Sequence, residues 1–189
     1  MTLDEQKATA RKDAFARRKL AFANQTPGAA GHLSAFLAGF RGVDLSGFMP
    51  IRTEIDPLPA MAEAAAHGRV CVPVIEAAGK PLKFREWEPG CALIDGPFGA
   101  KIPASGDWIE PEIVIVPLVA FDRNGGRLGY GGGFYDRTLE GLRARRATLA
   151  VGFAFAAQEQ DNLPLEATDQ PLDYIVTEQG VIRVASQGR

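Results

Sequence analysis

Cysteine, histidine and long apolar runs are what this 189-residue chain has least of, and each shortage closes a class of function. Cys71 and Cys91 are its two cysteines, twenty residues apart with no CxxC pair, so neither a disulfide framework nor a zinc site is signalled. A reducing, cytoplasmic setting is expected. His32 and His67 are the two histidines, too few and too isolated for a Ser-His-Asp or Cys-His constellation; His67, before Gly68, reads as a helix-end residue. No stretch approaches the roughly 18 apolar residues that span a bilayer. The amino-terminal segment mixes Asp4, Glu5 and Asp13 with its basic residues and lacks a signal peptide's apolar centre. With 21 basic against 23 acidic residues, the net charge of −2 argues against a nucleic acid or a membrane surface as partner. A soluble monomer acting on small molecules is expected.

What is present is an ordinary core-forming composition, 46% hydrophobic and 23% charged, in a chain of a length suited to one domain over residues 1–189. Residues 4–24 hold neither Gly nor Pro and predict one long helix, with a second over 29–40 and a third over 57–67, opened by Pro57 and closed by Gly68. Strands are predicted at 43–49, 70–75, 82–87, 148–153 and 174–177. The clearest is Ile113–Val116, an unbroken β-branched run of the kind buried on both faces of a parallel sheet, with Pro117 expected to end it. Strands alternating with helices imply a three-layer α/β/α fold with a mostly parallel sheet and a ligand site at the strands' carboxyl ends.

Between that strand and a helix predicted over 134–145 lies Arg127-Leu-Gly-Tyr-Gly-Gly-Gly-Phe-Tyr-Asp-Arg137. Glycines let backbone N–H groups converge on an oxyanion, and the following helix adds the positive end of its dipole. Arg127 and Arg137 bracket the loop with guanidinium groups suited to phosphate, and Asp136 offers oxygen to Mg²⁺. Glycines alone would also serve a sharp turn; the charged flanks favour phosphate. The loop is neither GxxxxGK[ST] nor GxGxxG, because position 134 is Phe134. On the first helix, Lys7, Arg11 and Arg18 fall within about 40° of one another, a basic stripe that by itself reads equally as a solvated face.

The segment AFDRNGGRLGYGGGFYDR closely resembles the signature of 5-formyltetrahydrofolate cyclo-ligases, and the resemblance extends to the amino-terminal Lys-x-x-x-Arg, Glu54, LKFREW at 82–87, VIVPLVAFD and PLDYIVTE at 171–178. It implies a fold like that of ribose-phosphate isomerases and CoA-transferases. It also implies an ATP site formed by Lys7, Arg11, Arg127, Leu128, Gly129, Tyr130, Gly131, Gly132, Gly133, Phe134 and Tyr135, with Lys7, Arg127 and Tyr135 as the catalytic residues. Folate would meet Met49, Glu54, Trp87 and Tyr130, and Asp136 and Asp173 would hold Mg²⁺. The implied reaction is cyclisation of 5-formyltetrahydrofolate to 5,10-methenyltetrahydrofolate at the expense of ATP, through an iminium phosphate, with release of ADP and phosphate. Two departures from the family pattern, Phe98-Gly-Ala-Lys-Ile-Pro103 and Glu112, touch the folate side. They leave open a paralogue acting on another small heterocycle. A non-catalytic nucleotide-binding module is the rival from a different class.

Overall fold

The computed structural model describes residues 1–185, so the last four residues of the expected domain, 186–189, lie outside the described residues. Helix α1 (Leu3–Ala23) opens on a capping box: the Glu5 N–H donates to the Thr2 hydroxyl at 3.2 Å and the Thr2 N–H donates back to the Glu5 carboxylate at 2.6 Å. Helix α2 (Gly31–Leu37) runs into a single 3₁₀ turn, Ala38–Phe40, so the predicted second helix starts later and ends tighter than expected. Strand β1 is only Leu45–Ser46, because the chain leaves the sheet at Gly47, short of the predicted 43–49. Helix α3 (Leu58–Ala65) follows, its first turn capped by Asp56, whose Oδ1 accepts from the Leu58 N–H at 2.9 Å.

Strands β2 (Val70–Val74) and β3 (Lys83–Trp87) precede a small hairpin, β4 (Leu93–Asp95) with β5 (Lys101–Pro103). Then come β6 (Ile113–Pro117), a second small hairpin of β7 (Ala120–Phe121) and β8 (Arg127–Leu128), and α4 (Phe134–Arg145). Strands β9 (Leu149–Phe153), β10 (Tyr174–Thr177) and β11 (Gly180–Arg183) complete the described chain. Pro117 does not stop β6 but occupies its last position, where a missing N–H is tolerated. The two hairpins and β11 were not expected, since strands of two to four residues are too short to show a period of two.

The seven-stranded sheet has the order β3-β2-β1-β6-β9-β10-β11. The five inner strands are parallel, and β3 and β11 close the two edges antiparallel. Both faces are covered, which makes the expected three layers. Ile113 and Ile115 of β6 face the side of Leu33, Leu37 and Met61 from α2 and α3, whereas Val114 and Val116 face Leu139 and Leu142 of α4. Helix α1 packs elsewhere: Ala10 and Ala14 sit against Val119, Ala120 and Leu128, which fixes the amino terminus beside the β7–β8 hairpin. No helix among the described residues is long and apolar enough to cross a membrane.

The order reverses at β1. From β1 the chain proceeds through α3 to β2 and β3 on one side, then returns to β6 on the other and continues outward to β9, β10 and β11. Connections that leave neighbouring parallel strands in opposite directions open a crevice at their carboxyl ends. Ile115, fully buried, anchors this centre. Ile115→Ala is expected to cost about 3 kcal/mol of unfolding free energy. Val181→Ala on the exposed edge strand β11 is expected to cost under about 0.5 kcal/mol. Urea denaturation of the two variants checks this, and equal losses would contradict the assigned core.

Candidate functional site

A cleft of about 430 Å³ lies at that reversal, lined by Phe48 and Met49 beyond β1, Pro73 and Ile75 at the end of β2, Pro117 at the end of β6, and the segment 127–136. Its two halves differ in chemistry. One is built from the glycine-rich loop and the first turn of α4. Gly133 is the N-cap of that helix at φ 68°, with no side chain capping it, and Gly131 also lies in the left-handed region at φ 101°. The first turn of α4 therefore has no side-chain cap, and Phe134, Tyr135 and Asp136 line the cleft at the positive end of a twelve-residue helix.

Basic side chains surround this turn. The Arg11 Nε donates to the Gly129 carbonyl at 2.8 Å, and the Arg137 Nη2 to the Gly132 carbonyl at 2.7 Å. Arg127 is buried and donates through Nη2 to the Asp136 Oδ1 at 2.7 Å, while its Nε, also buried, has no partner. A buried donor without an acceptor is costly, so an acceptor is expected from the ligand. Lys7, also buried, donates to Glu166 at 2.8 Å and lies 3.7 Å from Asp169. The Asp136 Oδ1 accepts a second bond, from the Gln170 N–H at 2.9 Å.

The other half is more apolar and centres on Glu54. Its carboxylate is buried, with Oε1 accepting from the Tyr130 hydroxyl at 2.8 Å and Oε2 from the Ile51 N–H at 2.9 Å. The turn that presents it carries Arg52 at φ 53°, a left-handed conformation held in a non-glycine residue beside the cleft. Burial pushes the Glu54 carboxyl above its ordinary value, against the hydrogen bonds from Ile51 and Tyr130 and the charges of Arg18 and Arg52. Burial likewise pushes the Tyr130 phenol up to about 12, and the Tyr135 phenol further still, so both remain proton donors at neutral pH. The Tyr135 hydroxyl is buried at the cleft without a partner. The tip of the β4–β5 hairpin lies against the start of α4: Phe98 and Ile102 line the cleft, and the Phe98 ring meets Phe134 edge-on at 6.0 Å between centroids.

The arrangement sets an uncapped helix start ringed by basic side chains beside a more apolar pocket around a buried carboxylate. The family model described as "5-formyltetrahydrofolate cyclo-ligase family" matches residues 4–178. The chain belongs to the 5-formyltetrahydrofolate cyclo-ligase family. It is 49% identical over 138 residues to the 5-formyltetrahydrofolate cyclo-ligase of Escherichia coli, covering 69% of this chain and 75% of that protein. To the 5-formyltetrahydrofolate cyclo-ligase of Mycolicibacterium smegmatis it is 33% identical over 165 residues, 79% of this chain and 82% of the other. Among solved structures it is similar to the 5,10-methenyltetrahydrofolate synthetase of Aquifex aeolicus, with a TM-score of 0.70 at 28% identity, covering 100% of this chain and 95% of that one.

Most of the site residues that the cyclo-ligase resemblance implied fall in this cleft. Lys7, Arg11, Met49, Glu54 and Arg127 through Asp136 all line the one cleft. Two do not. Trp87 packs in the core at the last position of β3. Because β3 runs antiparallel to β2, with Trp87 opposite Val70, this ring sits at the amino end of the parallel strands, away from the cleft. Asp173 precedes β10, and its Oδ2 is taken by Arg143 at 3.0 Å and the Ala150 N–H at 2.8 Å. Asp136 lines the cleft and Asp173 does not. Glu112, the second departure noted in the sequence, also lies at the amino end of the sheet, just before β6. Lys101 is paired with Asp95 across the β4–β5 hairpin.

Two cleft groups and one buried neighbour had no signal strong enough to assign them a role. Glu166 and Asp169 come from a Pro-punctuated loop far along the chain and meet Lys7 only in the fold. Arg18 shared the stripe of Lys7 and Arg11, and that stripe is the helix's inward face, with Lys7 and Arg18 both buried. The raised carboxyl of Glu54 has a sign that can be checked. Its contribution to stability is full below the ordinary value of 4.5 and is lost as pH rises through the raised one. The melting temperature of Glu54→Gln relative to the unaltered protein is therefore expected to climb as pH is raised from about 4 to about 8. A difference that stays flat or falls would contradict the burial of an ionisable carboxyl here.

Proposed function

We propose that this chain catalyses the ATP- and Mg²⁺-dependent cyclisation of 5-formyltetrahydrofolate to 5,10-methenyltetrahydrofolate, with release of ADP and phosphate. The observation that carries the reading is the union, in one cleft of a cyclo-ligase family member, of an uncapped helix start flanked by Arg127, Arg11 and Lys7 with the buried Glu54 carboxylate. The formyl oxygen is a weak nucleophile whose carbon holds its oxygen tightly. In the proposed reaction that oxygen bonds to the γ-phosphorus as ADP departs. N10 then closes on the formyl carbon with loss of its proton, and the C–O bond breaks to release phosphate.

The protein's part in such chemistry is positioning and charge neutralisation. The N–H groups at the start of α4, with Arg127 and Arg11, would take the phosphate oxygens; the partnerless Arg127 Nε is a donor already desolvated for one of them. Lys7 would exchange its contact with Glu166 for phosphate. Tyr135, kept protonated by burial, would donate to the oxygen at which charge develops. Glu54 would accept from the N–H edge of the pterin, and Phe98 at the hairpin tip would cover its face. Asp136, a cleft carboxylate, would offer oxygen to Mg²⁺, which would further neutralise the polyphosphate.

The test is the absorbance growth of methenyltetrahydrofolate when the protein is mixed with 5-formyltetrahydrofolate and MgATP. Turnover is expected in the unaltered protein. Arg127→Ala should lower kcat/KM by about 10³, and Tyr135→Phe should lower kcat by ~10–100-fold with little change in KM for ATP. Absence of product from the folded, unaltered protein would remove the assignment.

A further inference from the structure

Arg18 is the largest fully buried side chain of the described residues, 1% exposed, yet it forms no ion pair with a carboxylate among them. A buried guanidinium without a counter-charge is strongly disfavoured, so its charge has to be answered by other means. Its Nε donates to the Thr53 hydroxyl at 3.0 Å, and its Nη1 to the Tyr130 hydroxyl at 2.7 Å. The same hydroxyl donates onward to the Glu54 Oε1 at 2.8 Å. The counter-charge therefore sits one hydroxyl away. The aromatic faces of Phe15 and Tyr130, at 5.0 and 5.7 Å from the guanidinium carbon, complete the enclosure.

Three separate parts of the chain meet in this relay: α1 through Arg18, the turn before α3 through Thr53 and Glu54, and the glycine-rich loop through Tyr130. Tyr130 is 41% exposed as a residue, so its ring gains little from burial; what holds it is the hydroxyl between Arg18 and Glu54. A phenol that accepts a charged hydrogen bond becomes a stronger donor, and charge-assisted bonds are about twice as strong as neutral ones.

We propose that Arg18 is a positioning residue for the folate half of the site: through the Tyr130 hydroxyl it keeps the Glu54 carboxylate charged and fixed in orientation, and it ties the tip of the nucleotide loop to the folate pocket. This rests on the folate reading of Glu54 given above. The groups facing Glu54 are Arg18 from α1, Arg52 from its own turn, Tyr130 from the loop and Tyr135 from α4. Two of these are basic, and Arg18 is the one buried with it.

The test follows the Glu54 carboxyl by ¹³C NMR in protein labelled at glutamate side-chain carboxyls, with the Glu54 signal assigned by its loss in Glu54→Gln. In Arg18→Met and Tyr130→Phe the titration midpoint is expected to rise by about one pH unit or more, and Arg18→Lys should recover part of that rise. In both disrupting variants the acidic limb of kcat/KM for 5-formyltetrahydrofolate should move with the midpoint. In Arg18→Met the folate KM should rise roughly tenfold and the ATP KM by clearly less. Tyr130→Phe leaves no charge buried alone and keeps the measurement available if Arg18→Met does not fold. An unmoved midpoint in Tyr130→Phe overturns the proposal whether or not the protein turns over folate. A moved midpoint in a protein that makes no methenyltetrahydrofolate overturns the assignment to folate and retains the hold of Arg18 on Glu54.

Discussion

The reversal of strand order at β1 is the constraint from which the rest of this structure follows. Parallel strands cannot be joined by hairpins, so β1 reaches β2 through α3, and β6 reaches β9 through α4. The two paths leave in opposite directions and cannot cover the sheet's upper edge between them. Into that gap the chain sends the segment after β1, carrying Met49 and Glu54, and the segment after β6, carrying Arg127 through Asp136. Chemically unlike halves of one site thus come from the two sides of a single topological event.

Burial in this cleft is bought with polar groups that are only partly satisfied. Arg127 keeps an orphan Nε, Tyr135 an orphan hydroxyl, and α4 begins without a side-chain cap. Unpaired buried donors are costly, and under the proposed function each of these would meet a phosphate oxygen or the developing charge. Other charges are held in reserve by contacts that can be exchanged: Lys7 on Glu166, and Arg11 on the Gly129 carbonyl. Arg18 differs from all of these, since its donors reach Thr53 and Tyr130 and its charge is answered within the protein. Arg18 is thus satisfied inside the protein, whereas Arg127 and Lys7 line the cleft.

Much of this was legible in the residues, for reasons that can be named. The β-branched run at 113–116 read as an inner strand, and α4 was expected directly after the glycines, over 134–145. The loop at 127–137 announced itself because few other needs gather that many glycines between arginines. What could not be read depended on three-dimensional neighbours. Trp87 looked like a stacking platform until the antiparallel pairing of β3 put it at the wrong end of the sheet. Asp173, which the resemblance gave to Mg²⁺, lies outside the cleft lining, against Arg143 and the Ala150 N–H. The inward turn of the Lys7–Arg11–Arg18 stripe depended on α1 docking against the β7–β8 hairpin, whose two-residue strands leave no periodic trace.

The central claim is that one cleft takes two different molecules side by side, with Tyr130 at their boundary. Amide chemical-shift mapping tests it most directly, titrating first a non-hydrolysable ATP analogue with Mg²⁺ and then 5-formyltetrahydrofolate. The account predicts that the nucleotide moves the amides of Gly129 to Asp136, that the folate moves those of Met49 to Glu54, and that Tyr130 answers to both while the two ligands bind together. Displacement of one ligand by the other, or a folate response confined to residues outside the cleft, would contradict it.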